Sequence, residues 1–333
     1  MGMADPKLGV VVIGRNEGER LKACLASLNG VAALVYVDSG SQDGSLEYAA
    51  GRGIDTIALT SDRPFTAARA RNAGIRHLMA RHAGIEYIQT IDGDCTMAPG
   101  WLDTGAATLR ASSKVSTIFG RLRERYPHHS LYNRICDDEW NVPIGAAESC
   151  GGIALHRAAT LTAAGGFNEE LIAGEEPDLC LRLRRAGWSI IRIDAEMGDH
   201  DANILHFAQW WRRTVRAGFA YAEHVWRNRS GSLPSWKRQA ARFAFWGIVL
   251  PAMIVALLVI LALVGWSLAW SALPLLAYPS QFLRIWLRER RRFPYPLRMA
   301  ALTVIGKFAE AYGALKFLGV AVTRRKAELI EYK

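Results

Sequence analysis

The chain has no Cys-x-x-Cys pair among its five cysteines, Cys24, Cys95, Cys136, Cys150 and Cys180. That argues against the common zinc and thioredoxin-like motifs and leaves small buried thiols in a reduced, cytosolic compartment. A Gly-x-Gly-x-x-Gly turn is also missing, which argues against a dinucleotide site of the Rossmann kind. Met1 to Pro6 lacks an apolar core, and a strand is expected from Leu8, so no signal peptide is expected. Acidic residues are scarce after Trp226: 4 Asp and Glu stand against 17 Lys and Arg, whereas the first 226 residues carry 27 against 24. The net charge of +10 therefore belongs to the C-terminal third, where it accompanies apolar runs. Such a distribution points to an anionic membrane surface as partner and to no nucleic acid.

What is present suggests two units: 333 residues, 50% of them apolar, with a mean hydropathy of +0.05. Leu8 to Ile13 is a continuous apolar run, as in a parallel strand buried on both faces. Helices are expected over Glu19 to Leu28, Leu46 to Ala50, Phe65 to Arg81 and Trp101 to Arg110. Strands are expected over Val35 to Val37, Ile54 to Leu59, Tyr87 to Ile91, Ser116 to Phe119 and Trp188 to Asp194. This alternation implies an α/β fold with a doubly wound, mostly parallel sheet and helices on both faces. Arg121 to Ala147 reads as an irregular surface stretch rich in Tyr, His and Trp that can shape an acceptor pocket. His156 and Arg157 read as structural residues on a new helix.

The chemistry concentrates at Tyr87 to Cys95, where a β-branched run ends in Asp92-Gly93-Asp94. Gly93 lets the backbone turn sharply and brings both carboxylates to the strand end, the ligand-binding side of open α/β sheets. Two carboxylates there can hold a hard divalent cation that bridges a diphosphate. A second centre is Gly174-Glu175-Glu176-Pro177-Asp178. Pro177 fits a first helical position and Gly187 a position just past the helix end. Glu176 then lies at a helix N-terminus, where the dipole stabilises its ionised form and a general base is well placed.

VIGRNE after the first strand, VDSGSQDGS after the second, ARARNAGI and IDGDC resemble the family 2 glycosyltransferases of GT-A fold, of the membrane-anchored bacterial type. The resemblance continues through GEEPDLCLRLRRAGW (Gly174 to Trp188) and QWWRR (Gln209 to Arg213), six motifs in order over Leu8 to Arg213. It implies an inverting, metal-dependent enzyme moving sugar from a UDP- or GDP-sugar to a hydroxyl of a lipid-linked or saccharide acceptor. Sugar transfer to a polyprenyl phosphate and a non-catalytic membrane scaffold are the alternatives. Under this resemblance Asp38, or Ser39 where relatives carry a second acid, contacts the base; a carboxylate there can accept from the imide N–H of uracil. Arg15 and Arg71 pair with the diphosphate, Glu17 lies at the start of the first helix, and Asp92 contacts ribose or sugar. Asp94 holds Mn²⁺ or Mg²⁺, with His200 completing its shell. Gly151 and Gly152 bring backbone beside the sugar. Glu176, in a position where most relatives carry aspartate, is the base, with Glu175 next in line. Gln209-x-x-Arg212 is similar to the Gln-x-x-Arg-Trp motif of processive relatives, and Gln209, Trp210 and Arg212 are assigned to the acceptor or the membrane interface. Arg213 replaces the expected Trp.

Three segments follow from these readings: a catalytic domain over 1–204, an interfacial amphipathic helix and linker over 205–242, and a membrane domain over 243–333. Phe243 to Trp266 is free of charge and long enough to cross a bilayer. Ser267 to Leu283 is a second apolar run containing Pro274 and Pro279, and 299–322 reads as an interfacial or third membrane helix. Arginines on both flanks of the pair predict a multi-pass protein of the inner (plasma) membrane with a cytoplasmic catalytic domain, as expected in surface polysaccharide or glycolipid synthesis.

Overall fold

The computed structural model describes residues 7–229 and 231–323. The chain falls into two compact units that divide between Phe207 and Ala208.

The first unit opens with β1 (Leu8–Gly14), α1 (Glu19–Ser27), β2 (Ala33–Asp38), α2 (Ser45–Gly51), β3 (Asp55–Ala58), α3 (Ala67–Arg81) and β4 (Tyr87–Asp92). β5 (Cys95–Met97), α4 (Trp101–Ala111), β6 (Val115–Glu124), α5 (Leu131–Glu139), β7 (Gly145–Ala146) and β8 (Ala154–Arg157) follow. The unit closes with α6 (Ala158–Ala163), α7 (Glu175–Arg185) and β9 (Ser189–His200). One sheet runs in the order β3-β2-β1-β4-β8-β6-β9-β5, with β7 on β9. β1 to β4 are parallel, as the βα alternation requires. β8 then runs antiparallel to both β4 and β6, and β9 is parallel to β6.

Burial on both faces is visible along β1. A Cβ on Gly9 would touch Leu78 of α3, and Val11 meets Gly74 of the same helix. Val10 and Val12 point the other way and are equally inaccessible at 0% exposure. Gly74 is what lets α3 approach, since a Cβ there would overlap Val11 Cγ1. Gly74→Val should cost about 1–3 kcal/mol by overpacking, read as a lower urea midpoint; an unchanged midpoint would refute the close contact.

Three expectations are corrected. His156 and Arg157 end strand β8, and the helix begins only at Ala158; the Thr117 hydroxyl and His156 Nδ1 share a 3.0 Å hydrogen bond across to β6. The stretch after Arg121 is not irregular throughout. β6 continues to Glu124, and α5 is capped by Ser130 Oγ, which accepts from Asn133 N at 2.9 Å. α7 starts at Glu175, so Pro177 is its third residue. The first turn's N–H groups have no partner in the helix, so proline is tolerated throughout it. Its C-terminus is as expected: Gly187 has φ +87°, and its N–H and that of Trp188 close onto Arg184 O and Leu183 O.

The second unit is helical: α8 (Phe207–Arg227), α9 (Pro234–Ala244), a π turn (Phe245–Val249), α10 (Leu250–Val264), a 3₁₀ turn (Leu268–Ser271), α11 (Ala272–Leu275), α12 (Ala277–Glu289) and α13 (Pro296–Thr323). Small residues set its packing. A Cβ on Gly218 of α8 would overlap the Glu310 backbone of α13, and one on Gly313 would overlap Val215 O. Gly247, inside the π turn, abuts Ala311 in the same way. Lys307 and Glu310 on α13 pair at 2.6 Å. Among the described residues only Pro234–Val264, continuous through the π turn, is long and apolar enough to cross a membrane. The expected second crossing does not form one helix of that kind. Ser267 to Leu283 is broken into a 3₁₀ turn and two short helices, with Pro274 and Pro279 inside the latter.

Candidate active site

The loops after β1 and β2 lock to each other. Ser41 Oγ accepts from Asn16 N at 2.9 Å, Asn16 Oδ1 from Gln42 N at 2.8 Å, and Asp43 Oδ2 from Gly18 N at 2.9 Å. Asp38 anchors this assembly. Its Oδ1 accepts from Tyr36 Oη at 2.8 Å and its Oδ2 from Gly40 N and Ser41 N at 2.9 and 2.8 Å. Ser39 is buried beside it and donates its N–H to Gly14 O at 3.0 Å. Arg15 is exposed, with its guanidinium 5.6 Å from the Phe65 ring. Glu17 pairs with Arg20 at 2.8 Å.

At the end of β4, Gly93 is small for a reason other than its dihedral. Its φ is not in the left-handed region, but a Cβ would press on Glu17 Cγ and Ile13 O at 3.3 Å. Asp92 and Asp94 consequently leave the turn in different directions. Asp92 Oδ1 accepts from Arg71 Nη2 at 2.9 Å. Asp94, only 3% exposed, turns to the other side, where its Oδ2 lies 3.3 Å from His200 Nε2. The β5–β9 ladder makes this meeting, because it places Cys95 opposite His200.

Arg71 is the hub of the first cluster. Its side chain is 2% exposed, and Nη1 reaches Glu175 Oε1 at 2.8 Å and Glu176 Oε1 at 3.1 Å. Phe167 lies 5.4 Å from its guanidinium carbon, and the neighbouring Asn72 holds that loop by donating to Phe167 O and accepting from Phe167 N. Glu176 keeps 17% of its side chain open. Desolvation, with Glu175 alongside, pushes its carboxyl up to about 7, against the pull of Arg71. The helix dipole therefore does not dominate at this position. Gly152 closes the cluster: a Cβ there would collide with Arg71 Nη2 and lie 3.0 Å from Asp92 Oδ2 and 3.2 Å from Glu176 Oε1. Its carbonyl accepts from Thr90 Oγ1 at 2.8 Å, whereas Gly151 is exposed and a Cβ there would point into open space.

The structure thus gathers Asp92, Glu175, Glu176, Arg71 and Gly152, and separately Asp94 with His200. Both terminal nitrogens of Arg71 pair with carboxylates. Trp210 is buried within the second unit, with its ring 3.6 Å from where a Cβ on Gly306 would lie. Arg212 donates to Ala208 O at 3.3 Å, and Gln209 lies on the same helix. Sequence reasoning missed Glu124 and Trp140, which flank His200. A charged residue ending an apolar strand was the available signal.

Asp94, Cys95 and His200 bring ligand atoms within 4.8 Å of one another. A carboxylate oxygen and an imidazole nitrogen suit Mn²⁺, and the oxygen suits Mg²⁺. Cys95 is a poor third ligand, since burial pushes its thiol up and it donates to Asp94 Oδ1 at 3.2 Å.

Residues 9–144 match the family model "Glycosyl transferase family 2". This part of the chain resembles that family. Glycosyltransferase AglE of Haloferax volcanii is 26% identical over 64% of this chain and 72% of its own length. The pre-mycofactocin glycosyltransferase of Mycobacterium tuberculosis is 24% identical over 56% of this chain and 41% of its own. Among solved structures, a mannosyltransferase from Pyrobaculum calidifontis, in complex with GDP-Man and Mn²⁺, superposes with a TM-score of 0.59 at 19% identity. It covers 94% of this chain and 89% of that one, a likeness that shows the GT-A fold.

Proposed function

We propose that the chain is an inverting, metal-dependent glycosyltransferase that uses a nucleotide-diphosphate sugar and a hydroxyl acceptor. The observation that carries this is the Arg71 cluster, in which one guanidinium holds both Asp92 and Glu176 beside the turn that aims Asp94 at His200. Asp94 and His200 hold Mn²⁺ or Mg²⁺, which when bound neutralises charge on the leaving diphosphate. Arg15, the exposed cation of the first loop, faces the phosphates, and the Asp38–Ser39 loop faces the base of a UDP- or GDP-sugar. Asp92, fixed by Arg71, orients ribose or sugar. Gly152 lets the sugar approach backbone.

Glu176 takes the proton of the acceptor hydroxyl as that oxygen bonds to the anomeric carbon and the bond from that carbon to the diphosphate oxygen breaks. Attack opposite the leaving group inverts the centre. A carboxyl titrating near 7 is matched to that task. Arg71 keeps the carboxylate from turning away, and Glu175 beneath it keeps it basic.

The acceptor is membrane-proximal and lipid-linked, as in surface polysaccharide or glycolipid assembly. Support comes from the helix Pro234–Val264 and from the basic residues Lys237, Arg238, Arg242, Arg288 and Arg290 to Arg292 around the apolar stretch. The glycosyltransferase unit then works on the cytosolic face of the membrane.

Screening the purified chain for metal-dependent hydrolysis of a panel of nucleotide sugars identifies the donor. With that donor, Asp94→Ala should weaken metal-dependent binding at least about 100-fold, the upper end of what losing mere support of a ligand costs. Unchanged metal-dependent binding would sink the assignment.

A further inference from the structure

Beside the Asp94–His200 pair lies a buried carboxylate that the proposed reaction does not use. β9 carries His200 between two strands: Cys95 of β5 is its partner on one side and Glu124 of β6 on the other. Register partners project to the same face of a sheet. His200 Nε2 faces Asp94 Oδ2 at 3.3 Å, and its Nδ1 faces Glu124 Oε2 at 3.8 Å. That Nδ1 is buried and has no hydrogen-bond partner. Trp140 stands edge-on to the imidazole, with centroids 4.6 Å apart at 83°, and limits its rotation.

Glu124 is held with more care than a surface strand end needs. Its side chain is 0% exposed. Oε1 accepts from Tyr126 N and Asn133 Nδ2, both at 3.1 Å, and Oε2 accepts from Ala202 N at 3.0 Å. Asn133 is itself oriented, because its Oδ1 accepts from Ile204 N at 3.0 Å. All three partners of Glu124 donate to it, so its oxygens serve as acceptors throughout. Among the described residues its one ion-pair partner within 4.0 Å is His200. A buried carboxylate served only by neutral donors is costly. Oε2 accepts one hydrogen bond and has capacity for a second, and His200 Nδ1 lies 3.8 Å from it.

We infer that Glu124 is a positioning residue for the cation site: it accepts the Nδ1–H of His200, and so fixes the ring and leaves Nε2 as the metal-binding nitrogen. A neutral imidazole carries its proton on one nitrogen only, and the hydrogen bond made by one nitrogen decides which is free to ligate. A carboxylate behind a ligating histidine also makes it a better donor to the metal. The inference rests on the metal-dependent reading above. It adds a residue from β6, 76 positions before His200 in sequence.

The test is Mn²⁺ binding by the full chain, followed by electron paramagnetic resonance without nucleotide or acceptor. Glu124→Gln should weaken Mn²⁺ about 10–100-fold, and it should add little in a His200→Ala background, since both changes remove the same interaction. Equal binding in Glu124→Gln and wild type would overturn the inference, as would full additivity with His200→Ala. If Glu124→Gln fails to fold, the ¹⁵N spectrum of the wild-type imidazole with Mg²⁺ decides. A proton on Nδ1 supports the inference and a proton on Nε2 overturns it. A wild type that binds no Mn²⁺ removes the metal reading along with the inference. A wild type that binds Mn²⁺ no better than Glu124→Gln removes the inference alone.

Discussion

Glu176→Gln lowers kcat by about 10²–10⁴-fold, while the donor Kd stays close to wild type. Gln keeps the size of the side chain but cannot take a proton. The loss therefore falls on the transition state alone and lowers kcat and kcat/KM together. In the wild type, kcat/KM should rise with pH through about 7, as Glu176 ionises, and then level off. Stability moves the other way. The carboxyl titrates near 7 in the folded chain against an ordinary 4.5. Between those values the folded state holds a proton that the unfolded chain has released, so stability falls as pH rises from about 4.5 to about 7 and is flat above. Glu176→Gln should abolish that decline along with the activity. A variant with near-normal kcat would mean that Glu175 is the base or that the acceptor is a phosphate, which needs no base; kcat of Glu175→Gln separates the two.

Arg71→Met costs about 3–5 kcal/mol of folding free energy, the scale seen when one partner of a buried ionic cluster is removed. The reason is arithmetic of charge: Asp92, Glu175 and Glu176 would face one another with no cation between them. The deficit should shrink as pH falls, because protonation relieves the repulsion, and Glu175→Gln in the same chain should recover part of it. Arg71→Lys should not rescue activity, since a single ammonium cannot replace a planar fork that serves Asp92 from one nitrogen and both glutamates from the other. Denaturant titration at two pH values reads both effects. A loss independent of pH would show that packing against Phe167, and not charge, sets the cost.

The parallel half of the sheet was legible in the sequence because each strand is a short apolar run ending in turn formers. β1 and β4 are such runs, and their loops carry the Asn, Asp and Gly that the turns require. β8 was not legible: Ala154 to Arg157 is four residues long, and its preference for a helix or a strand is settled only by the ladders to β4 and β6. The Asp-Gly-Asp turn and the acids of α7 stood out because local chemistry marks them. That Arg71 joins them did not, for its partners lie 21, 104 and 105 positions away and no local spacing encodes such contacts. Glu124 was hidden for the same reason, since only the β6–β9 register brings it to His200.

The reversal of β8 has a consequence for how such a site diverges. Because β8 runs against β4, the chain enters it where β4 leaves, and Gly152 arrives opposite Asp92 from a loop. One wall of the cleft is therefore the outgoing end of a parallel strand, its position set by the sheet. The other is the last few residues of a connection that begins near Arg125. Lengthening such a connection adds closure entropy only slowly, about 0.6 kcal/mol per doubling. Insertions after Trp140, between Asn141 and Gly145, can thus reshape one wall without displacing the carboxylates of the other or the supports of His200. A lineage can vary one side of the Arg71 cluster while the sheet keeps the other in place.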